Sequence, residues 1–227
     1  MNGYLHRVHL KRGLSVDELA RALPANAYGE HRLVWRWFGG RGLARDFLFR
    51  REQQGHWPFF YVLSRREAVD PSGLWEIETR PFAPRLAEGE VLSFMLRANP
   101  AKVRKISDDP CVKARKRDDA IMDLKRRYRD ERHRPPLQEM VCEAGSQWMV
   151  ERAAGCGFKI ESLSVDAYRQ HRWYKPGASQ PVAFSTVDFA GVLRVVDAGL
   201  FAEKLFQGIG PAKSFGCGLL LVRRLAG

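Results

Sequence analysis

The apolar residues of this chain change period along its length, and that change limits the folds open to it more than any other feature. Tyr4 to Leu10 alternates Tyr4, His6, Val8 and Leu10 against Leu5, Arg7 and His9, the period of two expected of a strand. Ser15 and Glu18 make a capping-box signature, after which Val16, Leu19, Ala20 and Leu23 fall at helical spacing until Pro24 interrupts. A second helical stretch runs from Tyr28 to Phe38. Asp46 to Glu52 and Pro58 to Ser64, separated by Gly55, have the composition of paired strands. A turn or short helix at Arg66 to Asp70 then precedes Leu74 to Phe82, where Trp75, Ile77 and Thr79 alternate with charged neighbours.

The order strand, helix, strand, strand, short helix, strand can be traced again from Glu90. Val91 to Ala98 is a strand candidate, and Gln138 to Ala154 is a helix candidate ending near Gly155 and Gly157. Phe158 to Trp173 and Val182 to Val196 are extended segments around the turn-rich Lys175-Pro176-Gly177. Asp197 caps a helix through Phe206, and Ser214 to Leu225 closes as a strand. The expectation is an α+β protein of two tandem ferredoxin-like (βαββαβ, RRM-like) domains, residues 1–87 and 88–227. The halves share pattern and not identity, so a single mixed α+β domain is the alternative.

Charge narrows the partner. Thirty-eight Lys and Arg against 26 Asp and Glu leave a formal +12, which suits a polyanion, and nucleic acid ahead of an anionic membrane. No apolar run reaches the roughly 18 residues of a membrane span. His6, Arg7 and His9 interrupt the first ten residues where a secretory signal would be apolar, so a cytoplasmic location is expected. Cys111, Cys142, Cys156 and Cys217 stand far apart, which predicts neither a zinc knuckle nor a disulfide framework, and no metal or cofactor is expected. Within 113–134 ten basic residues face five acidic ones, as a solvated insertion or as a nucleic-acid contact.

Two places can carry chemistry. The run from Gly208 to Gly218 holds Gly208, Gly210, Gly216, Gly218 and Lys213. It follows a helix and enters a strand, the reverse of a dinucleotide fingerprint, and Ala212 stands where a P-loop needs glycine. Its amides and Lys213 either embrace a phosphate backbone or only cap a helix and turn tightly. Tyr28, His31, Arg32 and Trp35 follow the i, i+3, i+4, i+7 spacing of one helix face. An imidazole that titrates near 6.5 can accept and donate a proton, and a guanidinium can hold a phosphate. That set suits RNA cleavage through the substrate's own 2'-hydroxyl; a half-exposed helix with a satisfied histidine is the plainer alternative. His6 and His9, three apart on a strand, point to opposite faces.

The chain resembles the CasE family, the CRISPR-associated endoribonucleases of type I-E systems within the RAMP superfamily, over nearly its whole length. The resemblance is carried by Tyr4-Leu5-His6-Arg7-Val8, Ala44-Arg45-Asp46-Phe47-Leu48-Phe49-Arg50, Leu96-Arg97-Ala98-Asn99-Pro100 and the glycine loop, with Tyr28-x-x-His31-Arg32 between the first two. It implies two ferredoxin-like domains that bind a CRISPR repeat hairpin, cut at the 3' base of its stem without metal, and keep the product within a type I-E effector complex. It also implies that Tyr28 and His31 act at the scissile phosphate, that Arg32 steadies it, and that the ends are a 2',3'-cyclic phosphate and a 5'-hydroxyl. Which of His31 and Tyr28 is the general base stays open; His31 is favoured because a phenol near pKa 10 needs a cationic neighbour to act as base at neutral pH.

A double-stranded stem is read mostly through phosphates, 2'-hydroxyls and shape, which calls for a basic surface. The candidates are Lys113, Arg115, Lys116 and Arg117, with Lys125 to Arg129, in the insertion. Arg169, Arg172 and Lys175 stand at the later hairpin, and Gly208, Gly210, Lys213, Ser214, Gly216 and Gly218 in the glycine loop. A non-catalytic RNA-binding subunit of an effector complex would share this fold and charge. The Tyr28 and His31 pair distinguishes the two, since a scaffold has no need of it.

Overall fold

The computed structural model describes residues 2–40, 44–105, 115–128, 131–174, 177 and 179–225. Its first half runs β1 (Gly3–Leu10), α1 (Val16–Ala22), α2 (Ala27–Trp37), β2 (Phe47–Gln54), β3 (Trp57–Ser64) and β4 (Trp75–Phe82). Its second half runs β5 (Val91–Ala98), β6 (Ala101–Lys105), β7 (Arg115–Asp119), α3 (Ala120–Arg127), α4 (Leu137–Ala153), β8 (Phe158–Trp173), β9 (Val182–Val195), α5 (Ala198–Gln207) and β10 (Leu220–Arg224). The sheets are β2-β3-β1-β4 and β10-β5-β9-β8, with every neighbouring pair antiparallel. Counted within its own half, each sheet has the order 4-1-3-2, so the repeat that the sequence showed only as a pattern is a repeat of topology.

Local chemistry accounts for most boundaries. The Ser15 capping box is closed in both directions, with Glu18 accepting from the Ser15 backbone at 2.8 Å and Ser15 accepting from the Glu18 amide at 3.3 Å. Asp197 caps α5 by accepting from the Leu200 amide at 2.8 Å. Between 66 and 74 the chain bends without forming a helix. There the Val69 amide donates to the Trp37 carbonyl at 2.9 Å, and Asp46 holds the Arg66 guanidinium at 2.9 and 3.2 Å, which draws the backbone across the end of α2. The closing strand begins at Leu220 and not at Ser214, because Lys213–Phe215 forms a short 3-10 turn. The basic insertion contains β7, which pairs with β6 before it, and then α3.

Each sheet buries one face under its helices. Val8, Phe49, Phe60 and Val62 meet Leu33, Val34 and Trp37 of α2 in the first core, and Phe94, Leu96, Val187 and Phe189 meet Val141, Trp148 and Phe201 in the second. A third cluster, Leu48, Leu63 and Leu219 with Leu5, Phe82 and Phe206 against it, joins the first sheet's other face to the α5–β10 side of the second unit. No described helix is long and apolar enough to cross a membrane.

His6 and His9 do fall on opposite faces: His6 is fully buried between Thr79 and Ser64, each 2.9 Å from a ring nitrogen, and His9 faces Glu78. Burial lowers the His6 pKa from 6.5 against the opposing pull of the Arg66 backbone and Glu67. The unfolded chain therefore takes up a proton that the native ring resists, and the stability present above pH 6.5 is lost as pH falls from 6.5 through the lower native value. Urea unfolding at about pH 7.5 and about pH 5.5 should show the native state weaker at the lower pH. His6→Gln should narrow that difference, with His171, whose pKa burial also lowers, supplying part of what is left.

Candidate active site

Asn26 starts the helix that carries the candidate pair. Its side-chain oxygen accepts from the Tyr28 and Gly29 amides, each at 3.0 Å, and satisfies two first-turn donors. With Leu33, Val34 and Trp37 in the core, Tyr28 and His31 are left half-buried at the rim. Their rings stack with centroids 6.4 Å apart and planes at 26°, and His31 also meets Trp35 at 6.2 Å and Phe215 at 6.0 Å. Arg32 is exposed and lines a separate cleft of about 370 Å³ with Arg21 and Arg36. The helix thus brings the phenol and imidazole together, while Arg32 lines the neighbouring cleft.

Phe215 belongs to the glycine loop, whose structure explains its composition. Gly208, Gly210, Gly216 and Gly218 have φ of 74°, 79°, 79° and 89°. A Cβ on Gly208 would lie 2.9 Å from Leu48 of β2, and one on Gly210 would lie 3.1 Å from the Trp148 ring of α4, so the loop is wedged between the two units. The Gly208 amide donates to the Lys204 carbonyl at 2.8 Å and the Gly218 amide to the Arg97 carbonyl at 2.7 Å, so both serve backbone closure. Lys213 donates to the Gln207 carbonyl at the end of α5 at 2.6 Å. Its pKa is lowered by burial and by Arg45 and Lys204. Ser214 accepts from Arg45 at 2.8 Å.

From Phe215 an aromatic path continues into the β8–β9 hairpin. Phe215 meets Trp173 at 5.0 Å and Phe184 at 5.4 Å, and Phe184 stacks on His171 at 4.8 Å. Beside this path lies a cleft of about 510 Å³, lined by Glu30 of α2, Arg51 of β2, Arg97 of β5 and Arg169 and Arg172 of β8, among others. Arg97 is held firmly. Its guanidinium gives two 2.8 Å bonds to Asp188 of β9 and one of 2.7 Å to the Arg51 carbonyl. Arg50, almost fully buried, bonds Glu52 and reaches Asp188 at 3.8 Å.

Of the other basic candidates, Arg115, Lys116 and Arg117 lie on β7 with only their backbone described, and Lys113 and Lys175 lie outside the described residues. Lys125, Arg126 and Arg127 form the last turn of α3, where Arg127 pairs with Asp123 at 2.9 Å and Arg126 reaches Asp118 at 3.7 Å. Asn26, Arg51, Asp188 and Phe215 were not found from the sequence. Arg50 and Arg97 fall inside two segments that carried the family resemblance, the only trace the clamp leaves in the primary structure.

The model of a family described as CRISPR associated protein matches residues 4–224. The chain is 34% identical over 210 residues to the CRISPR system Cascade subunit CasE of Escherichia coli K12, covering 91% of this chain and 96% of that one. The chain belongs to the CasE family. It is also similar to the CRISPR-associated endoribonuclease Cse3 of Thermus thermophilus, at 29% over 197 residues, covering 86% of this chain and 81% of the relative. Among solved structures it superposes on Cas6e of Escherichia coli K-12 with a TM-score of 0.66 and 26% identity, covering 98% and 100% of the two chains. The fold also matches Cse3 bound to a 19-nucleotide RNA, at a TM-score of 0.70, 24% identity and coverage of 98% and 99%. For this CasE-family chain the relatives support the tandem ferredoxin-like architecture that the two 4-1-3-2 sheets display.

Asp188→Asn would leave the largely buried Arg97 guanidinium without a charged partner. It should lower the unfolding free energy by about 2–3 kcal/mol, read from urea unfolding. An unchanged transition would show that the clamp contributes nothing to stability.

Proposed function

We propose that this CasE-family protein is the endoribonuclease that cuts CRISPR precursor RNA at the 3' base of each repeat hairpin and then holds the mature guide. The observation that carries the reading is the stacked Tyr28–His31 pair on a capped helix, beside a cleft lined by arginines. The relatives support it, since one is named an endoribonuclease and the other a Cascade subunit. The partners are accordingly the repeat hairpin and the other subunits of a type I-E effector complex, in the cytoplasm. The two units divide at residues 87 and 88.

The chemistry asks little of the protein beyond proton transfer and charge. RNA brings its own nucleophile. His31 takes the proton of the 2'-hydroxyl as that oxygen attacks the neighbouring phosphorus, and the bond from phosphorus to the 5' oxygen breaks. The departing oxygen takes up a proton, with Tyr28 the partner group, leaving a 2',3'-cyclic phosphate and a 5'-hydroxyl without a metal ion. Arg32, one residue beyond His31 and facing the cleft of Arg21 and Arg36, holds the strand on that side of the helix. Arg169 and Arg172 hold it on the other, and the basic insertion, Lys175 and the glycine loop add charge along the stem.

His31→Ala should slow single-turnover cleavage by about 10²- to 10⁴-fold while the hairpin is still bound. Cleavage at the wild-type rate would remove His31 from the chemistry and favour the non-catalytic RNA-binding subunit. A parallel loss of binding would make it a structural residue.

A further inference from the structure

The cleft beside α2 contains an arginine fixed at both ends that the cleavage chemistry does not use. Arg51 donates to the Glu30 carboxylate at 3.0 Å, and its own carbonyl accepts from Arg97 at 2.7 Å. Its side chain is 40% exposed, whereas that of Glu30 is 11% exposed. A guanidinium has five N–H donors in a planar fork, so the bond to Glu30 fixes its orientation and leaves donors for a ligand in the cleft. The other acid of the cleft, Glu52, is bonded to Arg50, and Arg169 and Arg172 also line the cleft. What the cleft offers is therefore donors held in place, which fits an anion. Burial raises the Glu30 pKa while Arg51 and Arg97 oppose that rise, as expected of a carboxylate kept for its pairing.

Position along the strand follows from the helix. Glu30 and His31 are consecutive, about 100° apart around α2, so the cleft runs alongside the Tyr28–His31 rim and not over it. Phe215 contacts His31 and lines the cleft, forming the step between them. An RNA strand with one phosphate at the pair carries a neighbouring phosphate past Phe215 into the cleft. We propose that Arg51 holds a phosphate adjacent to the one cleaved, and that Glu30 is the positioning residue that aims it. This rests on the endoribonuclease reading. A phosphate gripped on a preorganised donor limits how far the reacting one can drift, and small misplacements of that kind are costly to rate.

The test pairs protein and RNA changes. Wild type, Arg51→Ala, Arg51→Lys and Glu30→Gln are each given repeat hairpins with a single methylphosphonate at one of the phosphates flanking the cut, in single-turnover cleavage and in binding against salt. Arg51→Ala should slow cleavage by about 10- to 100-fold and Glu30→Gln by about 10-fold, with Arg51→Lys recovering part of the rate. Arg51→Ala should also make the slope of log affinity against log salt shallower by about one. At one position the methylphosphonate should slow wild type and have no further effect on Arg51→Ala. Additive effects at every position, or wild-type cleavage by Arg51→Ala, would overturn the assignment. Should Arg51→Ala fold poorly, loss of the same methylphosphonate effect in Glu30→Gln and its retention in Arg51→Lys supports the assignment, and its retention in all variants overturns it. Wild-type protein that binds without cutting would overturn the endoribonuclease reading instead, and the same cycle measured in Kd would still decide Arg51.

Discussion

Arg97 and Asp188 meet in a bidentate pair where the two sheets come together, and the geometry of the site depends on that pair. Two charges largely removed from water are stable there only when they are paired and hydrogen-bonded, and all three nitrogens of Arg97 make such bonds. Its remaining bond runs to the Arg51 carbonyl, on the strand of the first sheet beside α2. Burial alone would pull the Arg97 pKa down, but Asp188 outweighs it and leaves the group above its ordinary value. Arg97 therefore stays charged, and its planar two-bond pairing with Asp188 allows only a narrow range of geometries.

From this clamp the constraint passes to α2 by two routes. One is polar: Arg51, fixed through its carbonyl, pairs with Glu30 beside His31. The other is aromatic: the glycine loop, tied to the Arg97 carbonyl through the Gly218 amide, sets Phe215 between His31 and the Trp173–Phe184 edge of the long hairpin. Glycine is required because the loop crosses a gap with no space for side chains, with the Leu48 methyls below and the Trp148 ring beside it. The loop amides whose partners are known serve backbone closure, and the loop positions Phe215 and Lys213.

Much of this was legible in the sequence, for identifiable reasons. Strands and helices that bury one face leave a periodicity, so Tyr4 to Leu10, the Ser15 capping box and the long β8 and β9 segments were read nearly to their ends. The Tyr28–His31 pair was legible because three residues along a helix is a fixed distance. What failed was local structure overruled by distant bonds, as at 66–74 and 214–219, where contacts with α2 and across the units replace regular backbone pairing. The clamp was illegible because its partners are 91 residues apart and each resembles a surface charge. Arg32, four residues from Tyr28 and one from His31, lines the cleft of Arg21 and Arg36, a neighbourhood that helical spacing within α2 does not reveal.

In the proposed reaction the RNA's own 2'-hydroxyl is the nucleophile and protein side chains carry the protons. The most direct measurement is to incubate the protein with its repeat hairpin in excess EDTA and analyse the product ends. Cleavage undiminished by EDTA, with a 2',3'-cyclic phosphate on one fragment and a 5'-hydroxyl on the other, is the predicted result. Cleavage abolished by EDTA and restored by a divalent ion, or a fragment ending in a 3'-hydroxyl, would contradict it.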